Sequence, residues 1–158
     1  MLKLAQEVES CIECSARLPL NVAEVFHLAQ KAVLHPIAPL YDSHHHVLKP
    51  HCADALRRIF KLCDVNQDGV LDSVELDAFQ RKCFDAPLQA QEVEGIKAMV
   101  RGHDENGVRG DDGLTESGFL YLHTVFIQRA RLETTWTALR SFGYGEDLKL
   151  TEAFLWPK

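Results

Sequence analysis

The sequence predicts a mainly α-helical chain organised around two consecutive helix–loop–helix units. Two observations predict this class. Apolar residues recur at three- and four-residue steps through most of the chain after residue 48, which is typical of amphipathic helices. Two polar, glycine-containing loops, residues 64–75 and 107–118, interrupt that periodicity. The 158 residues contain 46% hydrophobic residues, which is enough for one sizeable core.

The first 36 residues do not share this pattern. Residues Val8 to Ile12 predict a short buried strand, and a helix is expected from about Asn21 to His35, with Asn21 as its cap. Two prolines then end the helix, and residues 37–48 are expected to form a linker. Because a lone strand and helix cannot bury a core of their own, this segment is not expected to fold alone.

Residues 49–130 are predicted to hold the two helix–loop–helix units. Pro50 suits the first turn of a helix, because proline needs no hydrogen-bond partner there. Apolar residues with helical spacing flank the first loop on both sides: Leu56, Ile59, Phe60 and Leu62 before it, and Val74, Leu76, Phe79 and Phe84 after it.

The first loop, Asp64 to Glu75, has the oxygen donors of an EF-hand calcium site. Such a loop of twelve residues supplies oxygens at alternate positions, with glycine at the sixth, where Gly69 stands here. The alternative, a solvated acidic turn without an ion, is disfavoured because every position of the pattern is filled. The predicted ligands are the side chains of Asp64, Asn66, Asp68, Asp72 (through a water) and Glu75 (through both oxygens), and the backbone carbonyl of Val70.

The second loop, Gly107 to Gly118, lacks these donors. Aligning Leu114 with Leu71 places glycine at the first and twelfth positions and Arg109 at the third. Without a bidentate glutamate, the loop cannot hold an ion with its carboxylates. We therefore expect a silent loop that pairs the residues around Leu114 with those around Leu71, and a single Ca²⁺ per chain.

Composition and missing motifs disfavour several other functions. The formal net charge of −6 argues against nucleic acid as a main partner, and the absence of a long apolar run argues against membrane insertion. Five cysteines, an odd number, favour a reducing cytosolic setting over a disulfide framework. Neither a Gly-x-x-x-x-Gly-Lys-Ser/Thr nor an Asn-Lys-x-Asp motif is present, so the chain as given is not expected to bind or hydrolyse GTP.

Several longer stretches resemble the mitochondrial Rho GTPases called Miro, from roughly Glu7 to the C-terminus. The resemblance implies that residues 1–36 are the last strand and helix of a small GTPase domain. Ser15 and Ala16 would then be a remnant of the loop that touches the guanine base, and would not suffice to bind it. The matching stretches are Glu13–Ala16, Ala32–Pro36, Pro39–Asp42, Phe119–Thr124, Phe126–Arg129, Thr134–Trp136 and Phe142–Tyr144.

The same resemblance implies a role and a location. Miro proteins have two GTPase domains, two calcium-binding units and a C-terminal membrane anchor, of which this chain keeps the end of the first domain and the first calcium unit. It would be a regulatory EF-hand module at the cytosolic face of the mitochondrial outer membrane, linked to mitochondrial transport, distribution and morphology. Motor-adaptor proteins would be its partners, and GTP with Mg²⁺ would bind only the full-length parent. The chain is interpreted as a fragment, a truncated gene model or a degenerate copy.

Residues 131–158 are predicted to be a helical segment that closes on the EF-hand pair. Leu132, Trp136 and Leu139 have helical spacing, and a further apolar run, with Thr151 as its expected cap, ends at Trp156. In the family, a short helix here resembles a bound target peptide, and residues 151–156 are its expected counterpart. The alternative function, an independent calmodulin-like sensor that binds partner helices, requires an empty groove and usually two calcium loops.

Overall fold

The computed structural model describes residues 11–110 and 113–157 and is mainly helical, with small antiparallel sheets. A 3-10 turn covers Glu105–Gly107. The helices in the described residues are α1 (Val22–Leu34), α2 (Pro50–Cys63), α3 (Ser73–Phe84), α4 (Ala90–His103), α5 (Glu116–Gln128), α6 (Leu132–Ser141) and α7 (Glu152–Leu155). The strands are β1 (Tyr41–Asp42), β2 (Val47–Leu48), β3 (Val70–Leu71), β4 (Val108–Arg109) and β5 (Gly113–Thr115).

The predicted N-terminal strand is wrong where it can be compared. Val8 lies outside the described residues, whereas Cys11 and Ile12 belong to no strand and Cys11 is exposed. A strand needs a neighbour to satisfy its backbone, and none of the described residues offers one at this point. The predicted helix is present as α1, but Asn21 makes no side-chain cap because its backbone is left-handed, with φ of 51°. Its amide donates instead to the Glu13 carbonyl.

No residue of α1 is buried, although the helix is amphipathic. Phe26 and Val33, on its apolar face, are both largely exposed. The C-terminal end of α1 is nevertheless held by hydrogen bonds to α6 and to the turn before it. The Lys31 ammonium donates to the Ala130 carbonyl at 2.6 Å, and the Arg140 guanidinium donates to the Leu34 carbonyl at 2.7 Å.

The first helix–loop–helix unit consists of α2, β3 and α3, and α2 begins at Pro50 as expected. Most of the predicted apolar positions face the core, because helical spacing places them on one side of each helix. Leu62 and Val74 are exceptions, since both are exposed beside the loop. The buried positions are Leu56, Ile59, Phe60, Leu76 and Phe79.

The two units are joined by a three-stranded antiparallel sheet with the order β3–β5–β4. Leu71 pairs with Leu114, as the alignment of the two loops predicts, and both side chains are fully buried. Gly113 allows this close pairing, because a Cβ at that position would stand 2.0 Å from the Leu71 carbonyl oxygen. The sheet therefore couples the geometry of the two loops directly.

Helix α6 packs into the core between the two units and contacts α2, α3 and α5. Trp136 and Leu139 are fully buried, and the Trp136 indole N–H donates to the Pro36 carbonyl at 2.9 Å. Residues 151–156, the expected counterpart of the family's target-like helix, do not occupy the position of α6. Helix α7 has one turn and no buried residue, and it contacts the rest of the protein through Phe154. The Phe154 ring lies 2.2 Å from where a Cβ on Gly143 would be, and the Arg58 guanidinium of α2 lies 6.0 Å from the ring centroid.

Candidate metal centre

The two ends of the first loop are anchored by the ends of helices. Asp64 caps the C-terminus of α2, where its N–H donates to the Phe60 carbonyl. Asp72 caps the N-terminus of α3, and its Oδ1 accepts from the N–H groups of Val74 and Glu75, both at 2.8 Å. In return, the Glu75 carboxylate accepts from the Asp72 N–H through Oε2 at 3.2 Å, which completes a capping box. The positions of the first and last predicted ligands are therefore set by helix geometry.

The carboxylates at the first and twelfth positions both turn into the loop. Asp64 and Glu75 are only 9% and 8% exposed, which is unusual for acidic side chains without a cation. Each accepts backbone hydrogen bonds from the opposite part of the loop. Asp64 Oδ2 accepts from the Gly69 N–H at 3.0 Å, and Glu75 Oε1 accepts from the Val65 N–H at 2.8 Å.

The middle of the loop makes the sharp turn that the sequence predicts. Gly69 has φ of 83°, a left-handed conformation that suits glycine. Asn66 and Asp68 lie together, because the Asn66 amide donates to Asp68 Oδ2 at 3.1 Å. The other oxygen of Asp68 accepts from the Val70 N–H at 3.0 Å, just where β3 begins.

The donor set fits Ca²⁺, although the described residues contain no group of three histidine, cysteine, aspartate or glutamate side chains placed as metal ligands. Carboxylate, amide and carbonyl oxygens within one loop are the ligands that Ca²⁺ prefers. None of the salt bridges among the described residues involves Asp64, Asp68, Asp72 or Glu75. In this structure the loop N–H groups are the partners of these carboxylates, and the same groups can also orient them around an ion.

The second loop is closed by contact between two glycines. A Cβ on Gly118 would lie 2.0 Å from the carbonyl oxygen of Gly107, and one on Gly107 would lie 2.4 Å from Val100 Cγ1. The first and twelfth positions of this loop thus touch through their backbones, which leaves no room for a side chain at the twelfth. Asp111 and Asp112 lie outside the described residues.

Hydrogen bonds within the first loop join Asp68 to Asp64 and Asn66, and the Glu75 carboxylate accepts from the Asn66 and Asp72 N–H groups. The predicted guanine remnant lies elsewhere. Ser15 and Ala16 lie in an exposed turn before α1, where Ser15 bridges Leu20 and its hydroxyl accepts from the Leu18 N–H. Sequence reasoning also missed a contact from Arg109 to the first loop. Its guanidinium donates to the Asp68 carbonyl at 2.7 Å, and only the predicted pairing of the loops could have indicated it.

Comparison with known proteins assigns the chain to a family. Residues 86–158 match the family model described as EF hand associated. Proteins named Mitochondrial Rho GTPase 1 match nearly the whole chain. The one from Mycosarcoma maydis is 57% identical over 96% of this chain, and the one from Arabidopsis thaliana is 54% identical over 95%. One from Cryptococcus neoformans is 51% identical over 97% of this chain.

The matched region is a small part of each relative, covering 24% of the Mycosarcoma protein, 27% of the Cryptococcus protein and 23% of the Arabidopsis protein. The chain therefore spans about a quarter of the length of these relatives. No helix among the described residues is long and apolar enough to cross a membrane. On the strength of identities above half over nearly its whole length, the chain belongs to the mitochondrial Rho GTPase family.

Proposed function

We propose that residues 49–130 are a calcium-binding EF-hand module of a mitochondrial Rho GTPase, with one Ca²⁺ bound by the first loop. The observation that carries this proposal is the pair of carboxylates from Asp64 and Glu75, which are buried in one loop without a cationic side chain in a salt bridge. Burying a carboxylate is costly unless it is compensated, and a divalent cation compensates two at once. The EF-hand-associated match over residues 86–158 supports the same assignment.

The name of the relatives, Mitochondrial Rho GTPase 1, indicates a role for the module within a longer GTPase. We propose that GTP and Mg²⁺ bind the parent protein, and that residues 1–36 of this chain supply the end of its first GTPase domain. Ser15 and Ala16 would belong to the loop that touches the guanine base. Residues 37–48 would link that end to the EF-hand pair, and residues 131–158 would close the pair. The contacts from Lys31 and Arg140 between α1 and the α6 region then provide a physical connection between the nucleotide and calcium domains.

The proposed setting is the cytosolic face of the mitochondrial outer membrane, with motor-adaptor proteins as partners and mitochondrial transport, distribution and morphology as the processes served. The support is the name of the relatives and their high identity to this chain. The chain's five cysteines are all free, which agrees with a reducing compartment.

A regulatory module fits the packing of α6 better than a calmodulin-like sensor does. A sensor opens on binding calcium and exposes an apolar groove for a partner helix. In this chain α6 already packs against α2, α3 and α5, with Trp136 fully buried. A partner helix would have to displace it.

Titration calorimetry with Ca²⁺ tests the proposal. We expect one site per chain, and Glu75→Gln should abolish binding, because the twelfth position supplies two oxygens. Glu105→Gln is the matched control, since it removes the same charge from an exposed position in the second unit. Two equivalent sites, or unchanged binding by Glu75→Gln, would contradict the assignment.

A further inference from the structure

Arg109 reaches from the second unit to the corner of the first loop. It lies on β4 opposite Gly113 of β5, and β5 pairs with β3, which holds the seventh and eighth positions of the first loop. Its Nη1 donates to the Asp68 carbonyl oxygen at 2.7 Å, and its Nη2 lies 3.3 Å from where a Cβ on Gly69 would be. The guanidinium therefore stands at the fifth and sixth positions of the loop.

Arg109 can reach the first loop because strands β3 and β5 lie in close contact. A Cβ on Gly113 would stand 2.0 Å from the Leu71 carbonyl oxygen, so glycine is needed for β5 to lie where it does. Glycine also leaves no side chain at the position opposite Arg109. The Arg101 guanidinium donates to the Gly110 carbonyl, which fixes the chain directly after Arg109.

The charge of Arg109 matters because the loop is strongly acidic. Its twelve residues include four carboxylates and no basic residue, and arginine is charged at all physiological pH values. A guanidinium at the edge of this loop attracts the carboxylates and repels a divalent cation bound among them. Since Arg109 is exposed, salt screens both effects, and each should amount to only a few-fold in an equilibrium constant.

We propose that Arg109 is a resident counter-cation of the first loop, through which the silent second loop sets the calcium affinity of the first. It holds the Asp68 carbonyl and offsets part of the loop's negative charge, which stabilises the loop without metal. By the same charge it lowers the affinity for Ca²⁺. This inference rests on the calcium site proposed above and assigns a function to a loop that has lost its own ligands.

The test compares the Ca²⁺ affinities of the wild-type chain, Arg109→Gln and Arg109→Lys by calorimetry at low and high ionic strength. Arg109→Gln should bind Ca²⁺ roughly threefold more tightly than wild type at low salt, and the difference should largely vanish near about 0.5 M salt. Arg109→Lys should stay near wild type, because it keeps the charge. In the presence of a chelator, Arg109→Gln should melt at a lower temperature than wild type.

Arg129→Gln is the matched control, because Arg129 is an exposed arginine at the far end of α5 from the loop. It should leave the calcium affinity unchanged. Equal or weaker binding by Arg109→Gln at low salt would overturn the inference, and would indicate that Arg109 only positions the backbone. Flat titrations for all four proteins would instead overturn the calcium site itself, so the two failures are distinguishable.

Discussion

Replacing Gly118 by alanine should destabilise the fold, because the second loop is closed by backbone contact. The new Cβ would lie 2.0 Å from the oxygen, 2.8 Å from the carbonyl carbon and 3.1 Å from the Cα of Gly107. All three are backbone atoms, so no side-chain rotation relieves the overlap. The carbonyl oxygen would have to move by more than an ångström to reach ordinary contact. Overpacking of this kind costs about 1–3 kcal/mol, more than the ~1 kcal/mol that alanine gains over glycine in a helix.

Urea denaturation followed by far-UV circular dichroism measures this effect. A loss of about 2 kcal/mol should lower the urea midpoint by roughly 1 M, since domains of this size have slopes of about 1–3 kcal/mol per molar urea. Gly95→Ala is the matched control, because Gly95 lies within α4 with no atom within 4 Å of its Cβ position. That variant should be stabilised by about 0.5–1 kcal/mol. If Gly118→Ala were as stable as Gly95→Ala, the glycine contact would not be what closes the second loop.

Three further outcomes are expected. Calcium should increase the binding of a hydrophobic dye only slightly, because α6 covers the core. Trp136→Ala should raise dye binding and lower the free energy of unfolding by about 3–5 kcal/mol. A large calcium-driven dye signal from the wild-type chain would favour the calmodulin-like sensor. Burial lowers the pKa of His123 to about 3, so as the pH falls this histidine takes up a proton in the unfolded chain before it does so in the folded one. Stability should therefore fall as the pH drops below about 6.5. Measured in chelator between about pH 6.5 and 5, this slope should diminish in His123→Leu and persist in His51→Gln, an exposed control; equal slopes would refute the assignment. The purified chain should not bind a fluorescent GTP analogue, and saturable binding competed by GDP would contradict the missing phosphate loop.

The prediction for His123 rests on its surroundings. Its ring is 1% exposed, Nδ1 lies 3.0 Å from the Thr135 hydroxyl, and Nε2 has no hydrogen-bond partner. The ring of Phe119 packs against it at a centroid distance of 4.8 Å. Burial removes the imidazole from water and so disfavours its charged form, which leaves the neutral form favoured.

Local patterns in the sequence were sufficient for the first helix–loop–helix unit. Pro50 marks the start of α2, the loop spacing places Gly69 at the turn, and Leu71 pairs with Leu114 as the two loops' alignment predicts. The same methods misplaced the N-terminal strand and the side-chain cap at Asn21. A strand and a cap depend on where a neighbour or a backbone turn lies, and a short apolar or polar stretch does not specify either.

The sequence by itself determined the helical class and the family resemblance and was enough to predict a calcium ligand series, because helix periodicity and loop spacing are set by residues close together in the chain. Only the tertiary structure decided which later helix enters the core. Both α6 and the run at residues 151–156 are apolar, but α6 buries Trp136 and Leu139 against α2, α3 and α5, whereas no residue of α7 is buried. The contact from Arg109 to Asp68 was likewise invisible, since it joins residues 41 positions apart through strand pairing. Such contacts depend on where folding brings distant segments, which no local spacing records.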